Sequence, residues 1–199
     1  MAGTALAVML AGCAYEGLTM PTSPFEGDER PLPAAGLFGT GTLTAPGPDA
    51  KAVTYNPELA PIGAAITVIV TPFTDRTGAY LTASGLVPNR SYGAHLHANA
   101  CGATPDAAGP HFQHRVDPAA TPQAPSTNPE YANPQNEFWL DLRTDATGAG
   151  TSRTTVPFVV TSDRVPRSLV LHEEEQTATG PGQAGDAGGR LACVTLTEG

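Results

Sequence analysis

Short runs rich in β-branched and aromatic residues recur along the chain, each bounded by turn formers. Residues 65–70 and 79–83 are two such runs, and the Gly85-Leu86-Val87-Pro88-Asn89 turn leads into a third at 92–98. Residues 138–143, 151–160 and 168–172 alternate apolar with polar positions, and 191–196 closes the set. No stretch sustains the 3.6-residue apolar period of a helix. Glycine (22) and proline (20) are plentiful, in keeping with many turns. The pattern predicts an all-β domain over 37–199, a Greek-key β-sandwich or flattened barrel of about eight antiparallel strands. Two long segments, 101–136 and 173–189, interrupt the strands. Loops of that length inside a compact β-domain are usually functional.

The N-terminal region has a different character. Residues 5–11 are apolar and run into Leu10-Ala11-Gly12-Cys13, which resembles a bacterial lipoprotein signal ending in a lipidated cysteine. The apolar run is too short to span a bilayer. No Lys or Arg precedes it, so the n-region resembles the tail of a longer signal. The alternative is a fortuitous apolar start with an ordinary cysteine. Residues 14–36 carry Pro21, Pro24, Pro31 and Pro33 among glycines and acids and predict a flexible tether. This organisation predicts an extracytoplasmic protein, lipid-anchored to the bacterial cell membrane through Cys13.

Charge narrows the partners. Ten basic against 19 acidic residues give a formal charge of −9, with Lys51 the single lysine. Such a surface repels phosphate backbones, which excludes nucleic acid, and it repels small anions at long range. An anionic substrate needs local positive charge at its site. Of three cysteines, Cys101 and Cys193 lie in the body of the chain, which suggests one disulfide and a separate purpose for Cys13.

The chain has five histidines: His95, His97, His111, His114 and His172. His95 and His97 flank Leu96 on a predicted strand, so alternation turns both rings to one face and Leu96 to the other. Such a pair can chelate a metal ion, although exposed pairs also arise by chance. His111 follows in Gly109-Pro110-His111-Phe112, and His172 ends the apolar strand Leu169-Val170-Leu171.

These landmarks occur in a fixed order: G-x-H-x-H at Gly93 to His97, a cysteine at Cys101, G-P-H-F at Gly109, V-x-H-E at Val170, and G-x-A-G-x-R-L-A-C ending at Cys193. In this the sequence resembles the copper/zinc superoxide dismutase family from about Leu81 onward. The resemblance implies a β-sandwich and copper-dependent conversion of superoxide to oxygen and hydrogen peroxide. It implies that His95, His97, His111 and His172 bind copper, a donor set suited to Cu(II), and that Cys101 and Cys193 form a disulfide. It implies that Arg190 guides superoxide, the alternative being a structural arginine held by Asp186 or a loop carbonyl. The family cycle further implies that His111 leaves reduced copper, takes up a proton and returns it during reoxidation.

The sequence departs from the family at zinc. The family aspartate corresponds to Asp141, but Phe138 stands where a zinc histidine is expected three residues earlier. His114, three residues after His111, is the remaining candidate and reads better as an exposed loop histidine. Zinc is therefore not expected, or only in an incomplete site, the expected protein is copper-only, and Asp141 is expected to orient His111 from outside the metal shell. Two further readings stand beside the dismutase: an extracytoplasmic copper-binding or buffering protein using the same ligands, and an interaction subunit tethered to a membrane complex.

Overall fold

The computed structural model describes residues 32–47, 50–121 and 123–199. The signal-like segment, Cys13 and residues 14–31 of the expected tether lie outside the described residues. The end of that tether is attached rather than free: Ala34 is buried, and its N–H donates to the Val160 carbonyl at 2.9 Å.

Two antiparallel sheets enclose the core. The first consists of β1 (Leu37–Thr42), β3 (Ala65–Pro72), β4 (Thr77–Ser84), β8 (Gly150–Val156) and β11 (Thr197–Glu198), in the order β11-β1-β3-β4-β8. The second is β2 (Ala52–Thr54), β6 (Ala94–His97), β9 (Ser168–His172) and β10 (Arg190–Thr195), ordered β2-β10-β9-β6. A small pair joins β5 (Ser91–Tyr92) to β7 (Leu142–Arg143). The architecture is the expected all-β sandwich, with one 3-10 turn at Pro105–Ala108 and no α-helix among the described residues.

The two sheets are buried differently, and this difference creates the site. β3 and β4 alternate: Ile66, Val68, Val70, Ala79 and Leu81 face the core, while Ile69 and Tyr80 face outward. β6 and β9 are buried at every position. Leu96, Leu169 and Leu171 fill the space between the sheets, whereas Val170 belongs to a second cluster with Val53, Ala108 and Cys193 on the outer face. The long loops cover that outer face, so both strands are buried on both sides.

Several predicted boundaries shift for local reasons. Gly93 divides the predicted strand at 92–98 into β5 and β6. β8 stops at Val156 because Pro157 has no N–H for the ladder. Only Leu142–Arg143 of 138–143 is regular strand, but the preceding stretch runs along the free edge of β6, with the Leu140 N–H on the Ala94 carbonyl at 2.7 Å. β1 and β2 were not predicted. In β1, Gly39 and Gly41 dilute the pattern, yet a Cβ on Gly41 would meet that of Ala52 at 2.5 Å.

The Cys101–Cys193 disulfide forms and closes a sequence separation of 92 residues, fastening the first long loop to β10. Cross-linking distant positions restricts the unfolded chain, typically stabilising by ~2–5 kcal/mol. The double substitution Cys101→Ser, Cys193→Ser is expected to lower unfolding free energy within that range, measured by chemical denaturation. An unchanged midpoint would show that the cross-link contributes nothing.

Candidate metal centre

His95 and His97 occupy alternate positions of β6 and turn to the loop-covered face, as their spacing requires. β9 pairs His95 with Val170 and His97 with Ser168, so His172, two residues beyond Val170, shares that face. His111 enters from the first loop. Its segment docks along β6 through Ala98 N–H to the Pro110 carbonyl (2.9 Å) and Phe112 N–H to the Leu96 carbonyl (2.8 Å). One ring nitrogen from each of the four histidines lies within 4.8 Å of the others. His95 and His97 are completely buried, His172 nearly so, and the His111 side chain is 17% exposed.

Each ring uses one nitrogen to hold its place and leaves the other free. His97 Nδ1–H donates to the Gly109 carbonyl at 2.9 Å, and His172 Nδ1–H donates to the Gly188 carbonyl at 3.2 Å. Both glycines have left-handed backbones, with φ of 68° and 75°. A Cβ at Gly109 would lie 2.5 Å from the Asn99 side chain, and one at Gly188 would lie 2.8 Å from that of Glu174. The two motif glycines thus aim the carbonyls that orient the neighbouring rings. His111 Nδ1–H donates to Glu137 Oε2 at 2.9 Å. His95 is reversed: Nε2–H donates to Thr177 Oγ1 at 2.7 Å, leaving Nδ1 buried without a partner.

The free set is therefore His95 Nδ1 with Nε2 of His97, His111 and His172. His97 Nε2 and His172 Nε2 face each other at 3.3 Å. Burial, reinforced by repulsion among the rings and from Arg190, holds His95 and His97 well below the ordinary imidazole range. Burial likewise takes His172 down to about 3. Neutral rings presenting bare, desolvated nitrogens to one another fit a divalent metal of borderline softness, the class that includes copper and zinc.

Two outer partners escaped the sequence reading. Glu137 is 1% exposed and accepts Gln113 Nε2–H (2.8 Å) and Trp139 Nε1–H (2.8 Å) besides His111. The expectation for Asp141 requires correction, because Glu137, four residues earlier and on the same side of the segment, orients His111. Asp141 serves His95 indirectly. It accepts Thr177 Oγ1–H at 2.7 Å, Thr177 N–H at 2.8 Å and Ala94 N–H at 3.0 Å, which fixes the hydroxyl that receives His95. His114 is outside the cluster, exposed and stacked on Phe158 with ring centroids 4.3 Å apart.

Arg190 reaches the site by an irregularity. β9 pairs His172 with Arg190 and Leu171 with Ala192, so an extra residue, Leu191, bulges between them. Cys193 and Arg190 are an odd number of residues apart and would face opposite sides of a regular strand. The bulge brings both to the outer face. Arg190 Nη1–H donates to the Pro105 carbonyl at 3.0 Å, the loop carbonyl of the structural alternative, and not to Asp186.

The depressed imidazoles give the metal-free protein a defined pH response. As pH falls below about 6.5 the unfolded chain takes up protons that buried His95, His97 and His172 refuse, so stability falls toward about pH 3. Above about pH 7 both states carry neutral rings and these groups contribute no slope. The thermal midpoint of the metal-free protein is expected to drop between pH 7.5 and 5; metal binding is expected to raise the midpoint and leave the drop in place, because ligated rings refuse protons as well. A flat profile would contradict the assignment of the rings as buried and neutral.

The sequence profile of the copper/zinc superoxide dismutase (SODC) family matches residues 67–196. A comparison with curated proteins gives no match. The matched region contains all four clustered histidines, both bridged cysteines and the bulged arginine. The chain belongs to the copper/zinc superoxide dismutase family.

Proposed function

We propose that this protein is a copper-only superoxide dismutase acting outside the cytoplasm. The observation that carries the reading is the convergence of four bare imidazole nitrogens beside the half-exposed cation Arg190. Copper held by His95, His97, His111 and His172 would supply a one-electron couple, and four imidazoles suit Cu(II).

The protein's own groups have separable tasks. Arg190 has Nη1 on the Pro105 carbonyl, so its remaining N–H groups can receive a small anion beside His172, its partner across the ladder. That local cation offsets the repulsion expected from a chain of charge −9. His111 is the most exposed of the four rings and the one contributed by a loop, so its Nε2 is the atom suited to exchanging a proton with solvent. Glu137 accepts from Nδ1 throughout and keeps the ring in place. His95, His97 and His172, fixed on strands, form the constant part of the donor set.

Zinc has no role in this reading. His111 Nδ1 faces a buried carboxylate, Phe138 is in the core and His114 is stacked on Phe158. The apolar run before Cys13 and the Cys101–Cys193 disulfide support export and lipid anchoring.

Elemental analysis is expected to give one copper and no zinc per chain, with dismutation far above free buffer after copper loading. Tight copper binding without dismutation would replace the enzyme by a copper-binding module. Arg190→Ala is expected to lower the bimolecular rate about tenfold or more at low ionic strength, with a weakened salt dependence and unchanged copper affinity. An unaltered rate would remove Arg190 from substrate guidance.

A further inference from the structure

Superoxide is two oxygen atoms and needs no more room than about two waters, ~60 Å³. The cavity that opens onto His111, His172 and Arg190 measures about 580 Å³. Its walls come from both long loops and from the segment before β9, and they are largely apolar: Phe112, Val116, Pro125, Val165, Ala184 and Ala187. Val116 is 60% exposed, a large aliphatic side chain at an open position. A cavity of several hundred Å³ with apolar walls and a few convergent polar groups is the usual form of a small-molecule site.

The polar groups specify a charge. Arg164 and Arg190 both line the cavity. Arg164 is stacked over the Phe112 ring at 5.0 Å and donates Nη2–H to the His114 carbonyl at 3.2 Å, while Arg190 donates to the Pro105 carbonyl. Among the described residues neither guanidinium has a carboxylate within salt-bridge distance. Two carboxylates also line the space. Glu137 is engaged by three N–H donors, and Asp186 Oδ1 accepts the Gly188 N–H at 2.9 Å. In a protein with nearly twice as many acids as bases, two arginines that form no ion pair among the described residues, with Asp106 acting on Arg190 only through its charge, form at one apolar cavity a site for an anion that also has an apolar body.

We propose that this cavity binds an organic anion, an aryl or alkyl carboxylate or sulfonate, with its charged end between Arg164 and Arg190 and its body against Phe112, Val116 and Val165. Because Arg190 and His111 border the same space, the bound anion closes the route of superoxide to the metal. This regulatory consequence rests on the dismutase reading, whereas the binding itself does not.

The probe is 1-anilinonaphthalene-8-sulfonate, titrated by fluorescence and calorimetry into the folded, metal-free protein. One probe is expected to bind per chain. Arg164→Gln and Val116→Asp are each expected to weaken it at least tenfold, the range for losing a charge-assisted contact or placing a like charge at the rim. Inorganic sulfate at the same concentration is expected not to displace the probe, and N-phenyl-1-naphthylamine, the same body without the sulfonate, to bind at least tenfold more weakly. Binding indifferent to both substitutions, displacement by sulfate at equal concentration, or equal affinity for the uncharged analogue would each overturn the proposal. With copper loaded, the probe is expected to inhibit dismutation over the concentration range in which it binds. Loss of dismutation without the probe would count against the dismutase reading and leave the binding result intact.

Discussion

Four imidazoles held with one ring nitrogen each turned inward constitute the constraint around which this fold is arranged. The arrangement is unfavourable by itself: His95 Nδ1 is buried without a partner, and His97 Nε2 and His172 Nε2 face each other at 3.3 Å. Buried polar atoms left unsatisfied cost free energy, so the surrounding structure must hold the rings against relaxation. It does so from behind, with one acceptor for each outward nitrogen. Two acceptors are carbonyls aimed by left-handed glycines, one is a buried carboxylate and one is a hydroxyl fixed by another carboxylate. A cation at the centre turns the same strained donor set into a favourable one.

The second sheet makes this possible because both of its faces are covered. On the inner face Leu96, Leu169 and Leu171 anchor β6 and β9 in the core, so the strands that carry three of the histidines cannot rotate. The outer face is enclosed by two loops, one tied to β10 by the disulfide and the other clamped by Thr177 on Asp141. The β10 bulge then lets Cys193 and Arg190 serve the same face, the first fixing the loop and the second presenting a cation. Removal of the extra residue would turn Arg190 toward the core while leaving Cys193 in place.

Much of this was legible in the sequence, and the remainder was hidden for physical reasons. The period-two spacing of His95 and His97 was sufficient to put them on one face, and the ordered motifs indicated which further residues belong with them. The glycines could be read as members of the ordered motifs but not as the source of carbonyls, since that role depends on φ values. Asp141 was given the task of Glu137 because the resemblance matches it to the family's zinc-site aspartate, although residues 137, 139 and 141 share one side of an extended segment. Alternation cannot tell which of them lies opposite His111, for that depends on where the loop docks along β6. Thr177 gave no signal at all, being one small polar residue in a polar loop. β1 escaped because the close crossing with β2 requires glycine where an apolar residue would have marked a strand.

The distribution of charge follows from the strand order and explains how a donor set without charge of its own can hold a divalent ion and still attract an anion. Across the outer face, the segment carrying Glu137 and Asp141 lies along the free edge of β6, followed by His95 and His97, then His172 on β9 and Arg190 on β10. The two carboxylates act through His111 and through Thr177 and His95, one hydrogen bond or two behind the ligands. They supply counter-charge to the ion without occupying its coordination positions. Arg190 is two strands away from β6, on β10, and among the described residues forms no ion pair with either carboxylate. The cavity opens on His111, His172 and Arg190, and the Glu137 carboxylate in its wall is engaged by three N–H donors.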